Sequence, residues 1–150
     1  MSALDLSQFL PYRLSVLANK MSAQLATVYA ERFNISIPEW RVIAVLGQFD
    51  GVSADFVGGK TEMDRVTVSR AVAKLLKKRY IKRRFQISDR RCSVLSLAAA
   101  GKHVYADVVP LAKQYEDALT VVFDPTTFAQ FNAGIDRLQA QLAAVEGDLF

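Results

Sequence analysis

The sequence predicts a mainly α-helical fold with one small β-hairpin, an α+β chain in which helices dominate. Apolar residues recur every three or four positions along most of the chain, and prolines or capping residues mark several helix starts. Two short strand-like segments lie on either side of residue 90. With 150 residues, 51% of them hydrophobic, the chain can form one compact domain or two closely joined lobes.

Positive charge is concentrated in residues 64–91. This segment holds eleven basic and two acidic residues, a net charge of +9, whereas the whole chain carries +4 and the remainder therefore −5. Such a segment is suited to a polyanionic partner. A run of charges can also be a solvated surface only, but here it coincides with an apolar helix face and a basic hairpin.

Within this segment, the spacing predicts a helix followed by a hairpin. Asp64 can cap a helix whose apolar residues share one side and whose basic residues share the other. Residues 81–87 and 92–97 predict two strands joined by a turn at 88–91. This is the outline of a winged helix, whose helix enters the major groove of DNA while the hairpin reaches the minor groove or backbone. The apolar side comprises Val68, Val72, Leu75 and Leu76, and the basic side comprises Arg70, Lys74 and Lys77, with Thr67 beside them.

The same residues resemble the MarR family of bacterial transcriptional regulators. The resemblance lies in residues 64–72, Asp89-Arg90-Arg91 and Leu95-Ser96-Leu97 with Gly101, and it extends back to residues 37–46. It follows the element order over nearly the whole chain, with specific motifs in residues 36–101. It implies a homodimeric winged helix-turn-helix protein, often a repressor relieved by a small ligand or by thiol oxidation.

Three regions follow from this interpretation, beginning with residues 1–33, an N-terminal arm and dimerisation helix. Proline is tolerated in the first turn of a helix, so the helix should begin near Leu10 or Pro11, and Asn34 is a plausible stop. Residues 34–97 are predicted to be the winged helix-turn-helix domain. There, residues 36–39 have capping-box spacing, and Ser53 can cap a third helix ending near Gly59.

Residues 98–150 are predicted to hold C-terminal dimerisation helices. The first lacks the threonine cap usual in the family and should kink at Pro110, and the second should begin at Asp124-Pro125. Apolar residues in the second helix alternate in steps of three and four, a heptad seam that a second copy of the chain can cover. Alternatively, the seam packs within its own subunit. Its members are Phe128, Phe131, Ile135, Leu138, Leu142, Val145 and Leu149.

The predicted partner is double-stranded DNA with a palindromic site. Arg70 and Lys74 are expected at base edges and Arg65 at phosphate, while Arg91 has the alternative of pairing with Asp89. Other basic residues are expected to be solvated or to face phosphate, namely Lys77, Lys78, Lys82, Arg83 and Arg84. The full set of predicted DNA contacts is Arg65, Thr67, Ser69, Arg70, Lys74, Lys77, Arg90 and Arg91.

A small-molecule effector is implied by the resemblance, since family members often bind aromatic anions where the dimer helices meet the winged domain. Phe9, Tyr12, Arg13 and Trp40 are candidates to line such a crevice, with Arg13 as the partner of a carboxylate. The alternative is that the aromatic residues belong to the core and that Arg13 forms an ion pair.

No catalytic residues, metal ligands or cofactor are predicted. His103 lacks partners for a metal site or a catalytic dyad, and no phosphate-binding glycine loop occurs. No membrane span or signal peptide is expected, and with a single cysteine we expect a cytoplasmic protein. Two alternatives stay open, namely a winged-helix module that binds protein and a thiol-responsive regulator that uses Cys92.

Overall fold

The computed structural model describes residues 2–88 and 92–149, and it confirms the mainly helical fold with a two-stranded wing. The chain forms two compact units, residues 1–112 and 113–150. In chain order the elements are α1 (Leu10–Phe33), α2 (Ile37–Gln48), α3 (Ala54–Thr61), α4 (Arg65–Lys77), β1 (Ile81–Phe85), β2 (Ser93–Leu97), α5 (Ala99–Thr120) and α6 (Pro125–Leu149).

Both ends of α1 confirm the sequence prediction. The helix begins at Leu10 with Pro11 in its first turn. Backbone N–H groups in the first turn have no acceptor within the helix, so proline, which lacks this N–H, costs no hydrogen bond there. It ends at Asn34, whose φ of 53° is left-handed, a conformation that asparagine tolerates better than most residues. These ends follow from local residue chemistry alone.

The core of the first unit is built on α2 and α4. The capping box at the start of α2 is present, with the Glu39 N–H donating to Ser36 Oγ at 3.3 Å and the Ser36 N–H donating to Glu39 Oε1 at 3.2 Å. Val42, Ile43 and Leu46 of α2 are buried. They belong to the same core cluster as four residues on one side of α4, namely Val68, Ala71, Val72 and Leu75.

The helix α3 begins as predicted and ends slightly later. Ser53 accepts the N–H of Phe56 at 3.0 Å, and the helix continues past Gly59 to Thr61. Glu62, with a left-handed φ of 57°, closes it and turns the chain towards α4. The two elements of the helix-turn-helix are therefore α3 and α4.

The hairpin is antiparallel, with Ile81 opposite Leu97 and Phe85 opposite Ser93. The first strand ends at Phe85, two residues before the predicted end, and the second begins at Ser93. A single bridge between Val52 and Leu95 ties the hairpin to the loop before α3. The base of the wing is thus attached to the core, whereas residues 82–88 are all exposed.

Two glycines permit close packing in the first unit. A Cβ on Gly47 would lie 2.1 Å from the Tyr105 ring, and one on Gly101 would lie 2.0 Å from the Tyr80 carbonyl oxygen. The same Tyr80 oxygen accepts the N–H of Ala98 at 3.0 Å just before α5. Side chains at these two positions would separate elements that now touch.

The start of α5 has no side-chain cap, as expected from Ala98, whose carbonyl accepts the Lys102 N–H at 2.9 Å. Pro110 lies inside α5, which continues to Thr120. Across the part of the chain that the structure describes, no helix is both long and apolar enough to cross a membrane.

The second unit contains α6, which begins as predicted at Asp124-Pro125. The Thr127 N–H donates to Asp124 Oδ1 at 2.7 Å, and this hydrogen bond holds the pKa of Asp124 below its usual value. Phe123 stacks on Phe131 with ring centroids 5.5 Å apart. None of the residues from Pro125 to Leu149 is buried, so the heptad seam is at least partly exposed along its whole length.

Candidate nucleic-acid interface

The start of α4 is held by a double hydrogen bond to its cap. Asp64 Oδ1 accepts the Thr67 N–H at 2.7 Å, and Asp64 Oδ2 accepts the Thr67 hydroxyl at 3.0 Å. The backbone hydrogen bond, followed by the hydroxyl, lowers the pKa of Asp64. Because the Thr67 proton is donated to Asp64, this hydroxyl keeps acceptor capacity for a base amino group but has no proton left for a phosphate.

The outer side of α4 is basic and exposed. Ser69, Arg70, Lys74 and Lys77 are all exposed, whereas the opposite side of the same helix is buried. The helix is therefore fixed by its apolar side and presents long cationic side chains to solvent. This arrangement can reach into a groove of a polyanion without unpacking the core.

Arg65, at the first position of α4, forms only a weak contact. Its Nε lies 4.0 Å from Asp55 Oδ1, with the two side chains 93% and 81% exposed. An exposed ion pair at this distance contributes little stability, so the guanidinium can turn to a phosphate at small cost.

A groove of about 540 Å³ lies between α3, α4 and β1. Arg65 and Ser69 of α4 line it together with Arg83 of β1, which places two guanidinium groups on one cavity. Gly58 and Gly59 also line this groove, yet a Cβ at either position would meet no atom closer than 3.6 Å. The structure therefore gives no steric reason for the two glycines.

The wing adds further positive charge on exposed residues. Lys82, Arg83 and Arg84 are all exposed, which agrees with their prediction as solvated or phosphate-facing residues. The predicted contacts Arg90 and Arg91, and the alternative pairing of Arg91 with Asp89, lie outside the described residues.

Lys78 corrects the sequence prediction, which placed it among the solvated or phosphate-facing cations. Its Nζ lies 2.7 Å from Oε2 of Glu39, a side chain only 3% exposed, and also donates to the Asn34 carbonyl oxygen. The Tyr80 hydroxyl donates to the neighbouring Phe33 carbonyl oxygen at 2.9 Å. The end of α4 is thereby joined to the end of α1 and the start of α2.

The sequence analysis predicted a role for Glu39 but did not predict its contact with Lys78. Glu39 was recognised as the third residue of a capping box, a role confined to one helical turn. Its second partner, Lys78, is 39 positions away and lies in a run of exposed cations. No periodic signal distinguishes Lys78 from Lys77, so only the folded chain reveals the pairing.

The four predicted effector residues do not share one location within the chain. Phe9, Tyr12 and Arg13 are exposed around the start of α1. Trp40 is 9% exposed and stacks on Tyr29, with ring centroids 5.5 Å apart. Tyr29 lies sixteen positions after Arg13 on the same helix, about 24 Å along its axis.

Trp40 occupies an aromatic stack that serves the core. Its ring also lies 6.5 Å from that of Tyr105, so it has a tyrosine on each of two sides. Burial raises the pKa of Tyr29 to about 12, with a smaller opposing effect from Arg41. This stack agrees with the alternative that Trp40 is a core residue, whereas the exposure of Phe9 and Tyr12 does not place them in the core of this chain.

Cys92 and His103, the single cysteine and the single histidine, lie on different elements. Cys92 is exposed on the hairpin and His103 is exposed on α5. Among residues 2–88 and 92–149, no group of three or more histidine, cysteine or acidic side chains could hold a metal ion.

The chain was compared with protein families, curated proteins and solved structures. A sequence model of the MarR family matches residues 33–91, which include α2, α3, α4 and β1. No curated protein is similar enough in sequence to be matched to the chain.

The chain is similar to several solved structures of about its own length. A MarR/EmrR family transcriptional regulator from Acinetobacter sp. ADP1 is 26% identical, with 94% of this chain and 99% of that one covered and a TM-score of 0.85. The PcaV regulator from Streptomyces coelicolor, solved with its natural ligand, is 21% identical with coverage of 93% and 98% and a TM-score of 0.79.

A third similar structure is BpsR from Bordetella bronchiseptica, whose DNA binding is regulated by 6-hydroxynicotinic acid. It is 16% identical, covers 92% of this chain and 98% of its own, and has a TM-score of 0.79. At these identities PcaV and BpsR support the fold alone. The MarR family model matches the winged-helix segment, residues 33–91, and almost the whole chain is similar in fold to a MarR/EmrR family transcriptional regulator.

Proposed function

We propose that the protein is a homodimeric repressor that binds a palindromic DNA site through α4 and the wing. The observation that carries this proposal is the two-sided character of α4, whose buried apolar side leaves Arg70, Lys74 and Lys77 exposed together. Arg70 and Lys74 contact base edges, with Ser69 and the acceptor capacity of Thr67 beside them. Arg65 and Lys77 contact phosphate and set the register.

The dimer is proposed from the exposed seam of α6. Large apolar residues that recur at heptad spacing over a helix of 25 residues are unfavourable in water, and a second copy of the helix can cover them. A twofold dimer would present two copies of α4 about one DNA turn apart, roughly 34 Å. A protein bound across such a site would exclude polymerase from an overlapping promoter.

The effector is proposed to be a small aromatic anion that binds near the start of α1. Tyr12 and Arg13 follow Phe9 by three and four positions, a spacing that can bring an aromatic ring and a guanidinium close to the Phe9 ring, and all three residues are exposed. Trp40 is left out of this proposed site because it belongs to the buried stack. The compound that regulates DNA binding by BpsR, 6-hydroxynicotinic acid, is an aromatic carboxylate of this class.

The proposal is tested with a duplex that the wild-type protein selects from a random pool, in shift assays at several salt concentrations. Arg70→Ala should weaken binding to this duplex by roughly ten- to a hundredfold, because a bidentate contact to guanine is worth about 1–3 kcal/mol. The complex should contain two chains, and log affinity should fall steeply with log salt. Added 6-hydroxynicotinic acid should weaken binding if it fits the effector site.

Lys113→Ala is the matched control, since it removes one exposed positive charge from the second unit. It should leave affinity for the selected duplex nearly unchanged. Binding that is weak, insensitive to salt and equal for Arg70→Ala and wild type would contradict the proposal. Such a result would favour a winged-helix module that binds protein.

A further inference from the structure

The wing carries two exposed apolar residues, Phe85 and Ile87, among its basic ones. Phe85 is 55% exposed and Ile87 is fully exposed, whereas Ile81 at the base of the same strand is buried. Lys82, Arg83 and Arg84 lie between the buried base and this apolar pair. The pair is therefore close to strong positive charge and beyond the end of the core.

The hairpin register indicates which way Phe85 faces. Residues directly opposite each other in an antiparallel pair project to the same side of the sheet, and here Arg83 is opposite Leu95 and Phe85 is opposite Ser93. Leu95 is buried, so this side of the hairpin is the one that covers the core. Phe85 continues that side outwards, beyond the last buried residue.

The same side also faces the outer part of α4. Arg83 lines the groove of about 540 Å³ together with Arg65 and Ser69. Pairing extends one step further, because the Gln86 N–H donates to the Cys92 carbonyl oxygen at 3.0 Å. Phe85 and Ile87 line one shallow surface of the hairpin, together with Arg84, Gln86, Ser88 and Val94.

Duplex DNA fits this surface better than a protein partner. The three cationic residues before the apolar pair match a polyanion, and the proposed DNA face of α4 is adjacent across the groove. Apolar side chains that enter the minor groove contact sugars and base steps and can partly unstack them, which bends the duplex. Two exposed apolar residues that follow three basic ones on the same strand combine the features of such a wedge.

We propose that Phe85 and Ile87 form an apolar wedge that contacts the minor groove and bends the DNA beside the α4 contact. This inference rests on the proposed DNA-binding function and adds a source of sequence preference to it. Pyrimidine–purine steps are the easiest to kink, so a site with such a step under the wing should bind better. The wing would then select sequence through deformability, in addition to contributing charge.

The test uses the full-length protein and the duplex that it selects from a random pool, with a fluorescent dye at each end of the DNA. Phe85→Ala/Ile87→Ala should lower affinity for this duplex about tenfold and reduce the bend measured by energy transfer. The slope of log affinity against log salt should stay as in wild type, because alanine removes no phosphate contact. The preference for a pyrimidine–purine step under the wing should also disappear.

Control variants test whether the loss of affinity comes from the apolar side chains and not from a change in folding. Gln86→Ala truncates the polar residue between Phe85 and Ile87 and should leave affinity and bend nearly unchanged, because it removes no apolar contact. Phe85→Leu/Ile87→Leu keeps apolar volume and should restore most of both. Since the mutated side chains are exposed, all variants should keep the wild-type unfolding midpoint.

Each outcome bears on a defined proposal. If the double alanine variant binds and bends the duplex like wild type, the wedge is wrong while the proposed DNA-binding function stands. A variant that loses affinity only through a shallower salt slope also overturns the wedge, since charge would then explain the loss. A wild-type protein that selects no duplex would overturn both proposals together.

Discussion

The helices α4 and α6 have similar sequence patterns and different surroundings. Both place apolar residues on one side at steps of three and four. In α4 those residues are covered by the first unit, and Leu75 is 0% exposed. In α6 none is buried, and Leu142 is 68% exposed. Helical periodicity thus identifies an apolar side, and only the fold tells whether the same chain covers it.

The difference separates two uses of an amphipathic helix. A covered side fixes the helix on its own unit, so the polar side of α4 is presented in one defined orientation. An exposed seam still needs an apolar surface, and we propose that a second copy supplies it to α6. Substitutions on the apolar side of α4 should therefore destabilise the single chain, whereas substitutions in the α6 seam should weaken the association of two chains.

The largest expected effect is that of Leu75→Ala. This side chain is completely buried among residues of α2, α4 and the wing base, so its truncation leaves a cavity as well as lost apolar contact. We expect a loss of about 4 kcal/mol in the free energy of unfolding, within the range for buried leucines. Urea unfolding monitored by far-ultraviolet circular dichroism measures it.

Leu142→Ala is the contrasting variant on α6. At dilutions where the protein is monomeric, it should change the free energy of unfolding by less than about 0.5 kcal/mol, as for other exposed positions. It should also raise the dimer dissociation constant in sedimentation experiments. A monomer that is destabilised as strongly as by Leu75→Ala would mean that the chain itself covers the seam, contrary to the comparison.

The next largest effect is expected from Lys78→Met, at the end of α4. Glu39 is 2% exposed, and loss of its cation leaves a buried carboxylate with only the Ser36 hydrogen bonds. We expect a loss of about 3 kcal/mol in the free energy of unfolding, at the lower end for a broken buried ion pair. Lys77→Met, the exposed neighbour, should change this quantity by less than about 0.5 kcal/mol.

A double variant tests whether Lys78 stabilises the chain by pairing with Glu39. Glu39→Gln combined with Lys78→Met removes both charges, and it should recover part of the stability lost by Lys78→Met alone. If Lys77→Met and Lys78→Met lowered the free energy of unfolding by the same small amount, the contacts of Lys78 with Glu39 and Asn34 would contribute no stability.

The smallest effect is the acid dependence of the α4 cap. Hydrogen bonds from Thr67 lower the pKa of Asp64 in the folded chain below its unfolded value, so the carboxylate contributes stability above that unfolded value. This contribution is lost as the pH falls through the lowered folded pKa. Asp64→Asn, which does not titrate, should therefore have a lower unfolding midpoint than wild type at pH 7.

The difference in midpoint between wild type and Asp64→Asn should shrink when the pH is lowered below about 4. Asp124→Asn should behave in the same way, because Asp124 caps α6 with the same hydrogen bonds and also has a lowered pKa. A difference that is constant or grows in acid would show that the charge of the carboxylate does not stabilise these caps.

Local features of the fold could be predicted from the sequence, because they depend on residues within one helical turn. Ser36 with Glu39 forms the predicted capping box, Asp64 caps α4, and Asn34 ends α1 in the left-handed conformation. The strands of the wing were placed within two residues of their observed ends. Each of these assignments follows from neighbours in the chain.

One assignment that depends on a distant residue was wrong. Lys78 was placed among the solvated cations, although its partner Glu39 lies in another helix. A lysine can be solvated or can pair with a buried carboxylate, and its neighbours in the chain do not tell which. The effector site of Phe9, Tyr12, Arg13 and Trp40 stays a prediction, and within one chain Trp40 stacks on Tyr29, about 24 Å along α1 from Arg13.

The amino-acid sequence alone determined the helices, their caps, the basic outer side of α4 and the family resemblance, since all of these arise from residue type and short-range spacing. Tertiary structure decided which apolar sides are covered, which lysine pairs with the buried Glu39 and that Phe85 and Ile87 are exposed on the wing. Those outcomes depend on contacts between residues tens of positions apart, and periodicity carries no information about such pairs.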